Sequence, residues 1–151
     1  MSDSNNIAEI YLKRINHHIK GKKLEQALFE ACSNIIYCIL NKRTIDADSY
    51  FNFSSLLKMS KLKNDQRKTF AESIYVLAHP NIDFVEQKFQ YEAEDGFWHD
   101  LDLDIIYVSF RDNVFYHPVK QVQINKSEFN DVVLPYFTPS VELLKLVGAE
   151  K

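Results

Sequence analysis

Glycine, proline and cysteine are scarce in this chain: three, four and two respectively among 151 residues. So little glycine and proline leaves no material for a flexible linker, and no low-complexity tract or repeat of domain length is present. Two cysteines cannot build a disulfide scaffold. Cys32 and Cys38, six residues apart on what reads as one helix, point to different parts of its circumference, so both are expected to be small core side chains in a reducing cytoplasm. Long apolar runs are missing too. The longest, Ile35 to Leu40, is six residues, far below the roughly 20 that a membrane helix requires, so no membrane partner is expected. The polar opening Ser2-Asp3-Ser4-Asn5-Asn6 lacks the pattern of a secretory signal. No phosphate loop, metal-ligand spacing or catalytic motif is found, and no cofactor is expected.

What the chain does hold is apolar and aromatic weight, at 46% and 13%, enough for one core. The expectation is a single domain over 1–151: an N-terminal helix at 1–21, a core at 22–124 and a C-terminal helical segment at 125–151. The net charge of −3 conceals a division. Residues 1–68 carry 12 Lys and Arg against 7 Asp and Glu, a local +5, whereas 69–104 carry 1 against 9, a local −8. A bipolar chain suits a polyanion at its basic half, or self-association of one half with the other.

Ile7, Ile10, Tyr11, Ile15 and Ile19 recur at three and four, which predicts an amphipathic helix ended by Gly21. Leu24 to Leu40 predicts a second helix, apolar over a wide arc and so the central one, in an antiparallel hairpin with the first. Asn41 to Asn52 reads as a loop or short edge strand. Ser54 or Ser55 is placed to cap a helix to Leu62, and Asn64 to cap another over Asp65 to Ala78, stopped by His79-Pro80.

Ile82 to Val108 predicts a long β-hairpin. A three-residue loop, Glu94-Asp95-Gly96, pairs Tyr91 with His99, Phe89 with Leu101 and Val85 with Ile105. A two-residue turn would instead set Phe89 against Asp102, so the alternation favours the longer loop. Ile106, Val108 and Phe110 extend the second strand with both faces covered. A turn at Asp112-Asn113 leads to Val114–His117, with a further short strand at Val122 and Ile124. Ser127 heads a short helix broken by Pro135, and Thr138 or Ser140 precedes a last helix, Val141 to Val147. The order helix, tight turn, helix, hairpin resembles a winged helix-turn-helix over roughly residues 24–117. The fold class is therefore α+β.

Three constellations bear on function. Asp100, Asp102 and Asp104 alternate along the predicted strand about 7 Å apart on one face, a ladder that could hold a divalent cation only if another element closed over it. Solvated carboxylates with Lys88 opposite are the plainer reading. His17, His18, His79, His99 and His117 have no helper at useful spacing. Lys58, Lys61, Lys63, Arg67 and Lys68, with Asn64 and Gln66 among them, sit where a helix-turn-helix meets phosphates and bases, and Asp65 alone opposes them. Against nucleic acid stand the net charge and a wing tip of Glu92, Glu94 and Asp95. The sequence thus predicts a non-enzymatic binding protein of the cytoplasm, regulatory in character, with nucleic acid as first partner. A protein-interaction or dimerisation module using Phe97 and Trp98 comes second, and a metal-dependent enzyme third.

Overall fold

The computed structural model describes residues 2–42 and 45–148, with Ser2 and Asp3 described by backbone alone. Arg43 and Thr44, inside the expected 41–52 loop, lie outside the described residues. The fold is α+β: among the described residues there are seven helices, a three-stranded antiparallel sheet and a two-stranded one. The chain divides into two compact units, 1–86 with 137–151, and 87–136.

The first unit is helical. α1 (Ser2–Ile19) buries Ile7, Tyr11, Ile15 and Ile19 at four-residue steps, while Ile10 stays at the surface. Gly21, at φ +82°, turns the chain in the left-handed region that only glycine enters freely. α2 (Glu25–Leu40) touches α1, α3 (Phe53–Ser60) and α4 (Arg67–Ala78), which makes it the central helix, as its wide apolar arc predicts. Leu28, Ala31, Cys32, Ile35, Ile36 and Ile39 fill its buried face. Leu24, Tyr37 and Cys38 fall outside that arc and are exposed, so Cys38 is not the core residue expected.

α3 is capped two or three residues earlier than its serines suggest: the Asn52 side chain accepts from the Ser55 N–H at 2.8 Å. α4 is preceded by a single 3-10 turn, Asn64–Gln66, and buries Phe70, Ser73, Ile74 and Leu77 before His79-Pro80 ends it. The 79–84 loop is pinned from two sides. Tyr11 donates to the Asp83 carbonyl at 3.2 Å and Ser140 Oγ donates to the same oxygen at 2.6 Å. Ser140 also caps α7 (Val141–Leu146), accepting from the Leu143 N–H at 2.9 Å. Arg14 holds the Ile82 carbonyl at 3.0 Å and grips Glu142 with two bonds of 2.7 Å.

The second unit is built on β1 (Val85–Glu92) and β2 (Trp98–Leu101), the unit boundary falling inside β1 and inside β5 (Val133–Pro139). Phe89 pairs with Leu101, Gln90 with Asp100 and Tyr91 with His99, in the register that the alternation predicts. Gly96 sits at φ +82° and Ala93 N–H donates to the Phe97 carbonyl, so the loop is the three-residue one.

The hairpin is shorter than expected. After Leu101 the chain turns into α5 (Leu103–Asp112), and the pairing of Val85 with Ile105 does not form. Asp102 caps this helix through a 2.9 Å bond from the Asp104 N–H, and Asp104 lies in its first turn, where the helix dipole favours a carboxylate. These end effects and the burial of Ile106 and Ser109 outweigh the β-propensity of Ile105 to Val108.

β3 (Phe115–Tyr116) and β4 (Gln123–Ile124) form the small hairpin expected there. Asn125, not Ser127, caps α6 (Lys126–Val132), its side chain accepting from the Glu128 N–H while Glu128 accepts from Asn125. The sequence 133–139 is not the helix end that Pro135 suggested. It forms β5, which lies beside β1 in the order β2-β1-β5 and leaves Pro135 on an edge strand, where a missing N–H costs no ladder bond. Phe115, Phe129, Ile106 and Val133 form this unit's core.

Candidate nucleic-acid interface

The surface worth testing is made by the end of α3, the turn 61–66 and the start of α4. Lys61 adopts φ +63° and stops α3, its N–H returning to the Lys58 carbonyl. The chain then re-enters helix through the 3-10 turn, where the Gln66 amide oxygen accepts from the Lys63 N–H at 3.0 Å and the Gln66 N–H donates to the Lys63 carbonyl. This local hydrogen bonding sets five cations on a span of eleven residues.

Lys58, Lys61, Lys63, Asn64, Gln66, Arg67 and Lys68 are all exposed. None of the five cations enters an ion pair or a side-chain hydrogen bond among the described residues. Charges left in water without a carboxylate partner retain their full capacity to meet phosphate. Gln66 is only half available, because its amide oxygen is committed to the turn and its NH₂ alone remains to donate.

Beside this cluster is a groove of about 390 Å³ lined by Cys38, Lys42, Asn52, Ser54, Ser55, Lys58 and Met59. Its charged side chains are both lysines. Sequence reasoning did not draw Lys42 or the two serines into the site, since their convergence depends on α2 and α3 running side by side. The amide of Asn34 on α2 reaches the Ser60 carbonyl on α3 at 3.1 Å, which fixes that pairing. The nearest sequence signal was a lysine directly after the end of α2.

The aspartate ladder is not a ladder. Asp100 lies on β2 and accepts from the Tyr136 hydroxyl, Asp102 is a helix cap and Asp104 belongs to α5, so the three carboxylates do not share a strand face. Burial and then Asp100 push the Tyr136 phenol up to about 12, which keeps it a donor at neutral pH. No group of three or more His, Cys, Asp or Glu side chains suited to a metal ion occurs among the described residues.

The histidines are dispersed in role. His99 meets Asp95 at 2.9 Å within the hairpin, and His117 Nδ1 accepts from the Val119 and Lys120 N–H groups. His18 and His79 meet in a tilted ring contact with centroids 4.4 Å apart, and the His18 pKa is held below its ordinary value by burial, by His79 and by Lys22.

Within the second unit the hairpin tip is acidic and apolar at once. Glu92, Glu94 and Asp95 are exposed beside Phe97, at 70% exposure, and Trp98, at 47%. No helix among the described residues is long and apolar enough to cross a membrane. Comparison of the chain with protein-family models, curated proteins and solved structures gives no match.

Proposed function

We propose that this α+β protein binds nucleic acid without catalysing a reaction, through the surface formed by α3, the 61–66 turn and the first turn of α4. Lys58, Lys61, Lys63, Arg67 and Lys68 contact phosphates, and Asn64 with the free donors of Gln66 supplies the neutral contacts to sugar or base. The observation that carries this reading is the combination of exposure and absent ion partners at all five cations. In a winged helix-turn-helix, which the order of elements in the sequence resembles, α4 would stand as the recognition helix with Arg67 and Lys68 at its start.

The test is binding of the full chain to mixed-sequence duplex and single-stranded oligonucleotides, read by fluorescence anisotropy. A variant carrying Lys61→Glu, Lys63→Glu, Arg67→Glu and Lys68→Glu is expected to lose binding while its circular dichroism is unchanged, because every substituted side chain is exposed. Full binding by that variant removes the reading. A second reading, recognition of a basic protein, is favoured by Phe97 and Trp98 standing exposed among Glu92, Glu94 and Asp95. Loss of protein binding in a Phe97→Ser, Trp98→Ser variant, with oligonucleotide binding intact, separates the two.

A further inference from the structure

α5 buries Ile106 and Ser109 and sets Phe110 against Phe115 and Phe129, while its exposed side carries further apolar residues beside Asp104, Arg111 and Asp112. Leu103, Ile105, Tyr107 and Val108 are 52%, 50%, 66% and 42% exposed. Beside them a groove of about 510 Å³ is lined by Ile105, Val108, Val114 and Tyr116, with Asp104, Ser109 and Asp112 among its walls. Scattered surface hydrophobics need no explanation, but four exposed apolar side chains within two turns of one helix, flanking a line of charge, call for one.

The charges on that face have an order. Asp104 and Arg111 are seven residues apart, which on an α-helix is about 20° short of two full turns and about 10.5 Å of rise, so they lie on one line with Tyr107 and Val108 between them. Asp104's carboxylate has no hydrogen bond or ion pair among the described residues. Arg111 gives Nε and Nη2 to Asp112 at 2.9 and 3.2 Å, leaving Nη1 for another acceptor. One end of the face is thus anionic, the other offers a cationic donor, and the middle is greasy.

We propose that this face pairs with the same face of a second copy of the chain, the two α5 helices running antiparallel across a two-fold axis between Tyr107 and Val108. In that arrangement Asp104 of each copy meets Arg111 of the other, twice, and the central Tyr107 and Val108 side chains are removed from water. A parallel arrangement would stack Asp104 on Asp104 and Arg111 on Arg111. Antiparallel packing also opposes the helix dipoles favourably. Self-complementarity of this kind is what a two-fold interface demands, and a different protein as partner would not require both charges on one line.

The experiment is sedimentation equilibrium of the full chain from low micromolar to hundreds of micromolar, with circular dichroism as the check on folding. A monomer–dimer equilibrium is expected. Val108→Glu sets two carboxylates against each other at the axis and leaves monomer. Asp104→Arg or Arg111→Asp alone raises the dissociation constant about tenfold or more through like-charge contacts. The double variant D104R/R111D restores the dimer, and mixing the two single variants gives a heterodimer tighter than either self-pair. A chain that stays monomeric throughout, a dimer indifferent to Val108→Glu, or a charge swap that fails to restore pairing in folded protein overturns the proposal.

Discussion

Cys32 and Cys38 share α2 yet meet opposite surroundings. Cys32 is fully buried, its thiol donating to the Ser73 carbonyl at 3.6 Å, and burial pushes its pKa up to about 12. Cys38 is exposed and lines the lysine groove. A thiol-specific maleimide is therefore expected to modify one equivalent quickly in the native protein, at Cys38, and the second only in denaturant. Equal rates at the two, read by mass spectrometry, would contradict this placement. Their six-residue separation told that they diverge, but which of them faces the core depends on where the neighbouring helices dock.

Arg14 and Glu142 give a pH signature at the same scale. Hydrogen bonding from Arg14 lowers the Glu142 pKa below its ordinary 4.5, so the pair's stabilisation is complete above that value and disappears as pH falls through the lowered one. Glu142→Gln is expected to cost about 0.5–1 kcal/mol at neutral pH, the modest figure suited to a pair this exposed, and progressively less in acid. Asp83 shifts the other way, raised by burial first and then by Glu142 and Glu86, so it offsets part of the slope. Urea midpoints of wild type and variant that converge below pH 4.5 bear this out, and a constant difference across the range speaks against it. None of this was legible beforehand, because Arg14 and Glu142 are 128 residues apart.

Elements were legible wherever their hydrophobic periodicity was unbroken. α1, α2 and α4 follow from apolar spacing, and the β1–β2 register follows from alternation around Gly96. α5 was misread because Asp-Leu-Asp-Leu-Asp-Ile alternates as a strand does, while the capping chemistry of Asp102 acts on the backbone and leaves no mark on hydrophobic period. β5 was misread because Pro135 signals a break in a helix but is tolerated on an edge strand.

The caps can be weighed against each other. Asp102→Ala removes one accepted bond on an exposed helix end and is expected to cost about 1 kcal/mol. Ser140→Ala removes the cap of α7 and also the donor to the Asp83 carbonyl in a fully buried position, so about 2 kcal/mol is expected. Urea unfolding should therefore rank Ser140→Ala clearly below Asp102→Ala. Equal losses would mean that the Asp83 carbonyl is satisfied by Tyr11 alone.

Across the whole molecule, charge follows the division of the chain. The first unit has 14 Lys and Arg against 12 Asp and Glu and the second 4 against 9, so a net −3 protein contains one mildly cationic and one strongly anionic unit. The basic cluster at 58–68 was legible because five cations fall within eleven residues around one turn, whereas its extension to Lys42 through the groove depended on the pairing of α2 with α3. An overall negative charge weakens long-range attraction to a polyanion without touching the contacts themselves. Under the proposed function, the salt dependence of binding would count those contacts, since each neutralised phosphate releases condensed counterion. With all five cations engaged, the plot of log affinity against log salt should have a slope of about −4.5 on duplex and about −3.5 on single strands. Replacing Lys63 and Lys68 by Gln should reduce the duplex slope by about 1.8, in proportion to the two lost contacts. A slope near zero in wild type, or one unmoved by those substitutions, would place the contacts elsewhere on the chain and remove the cluster from the interface.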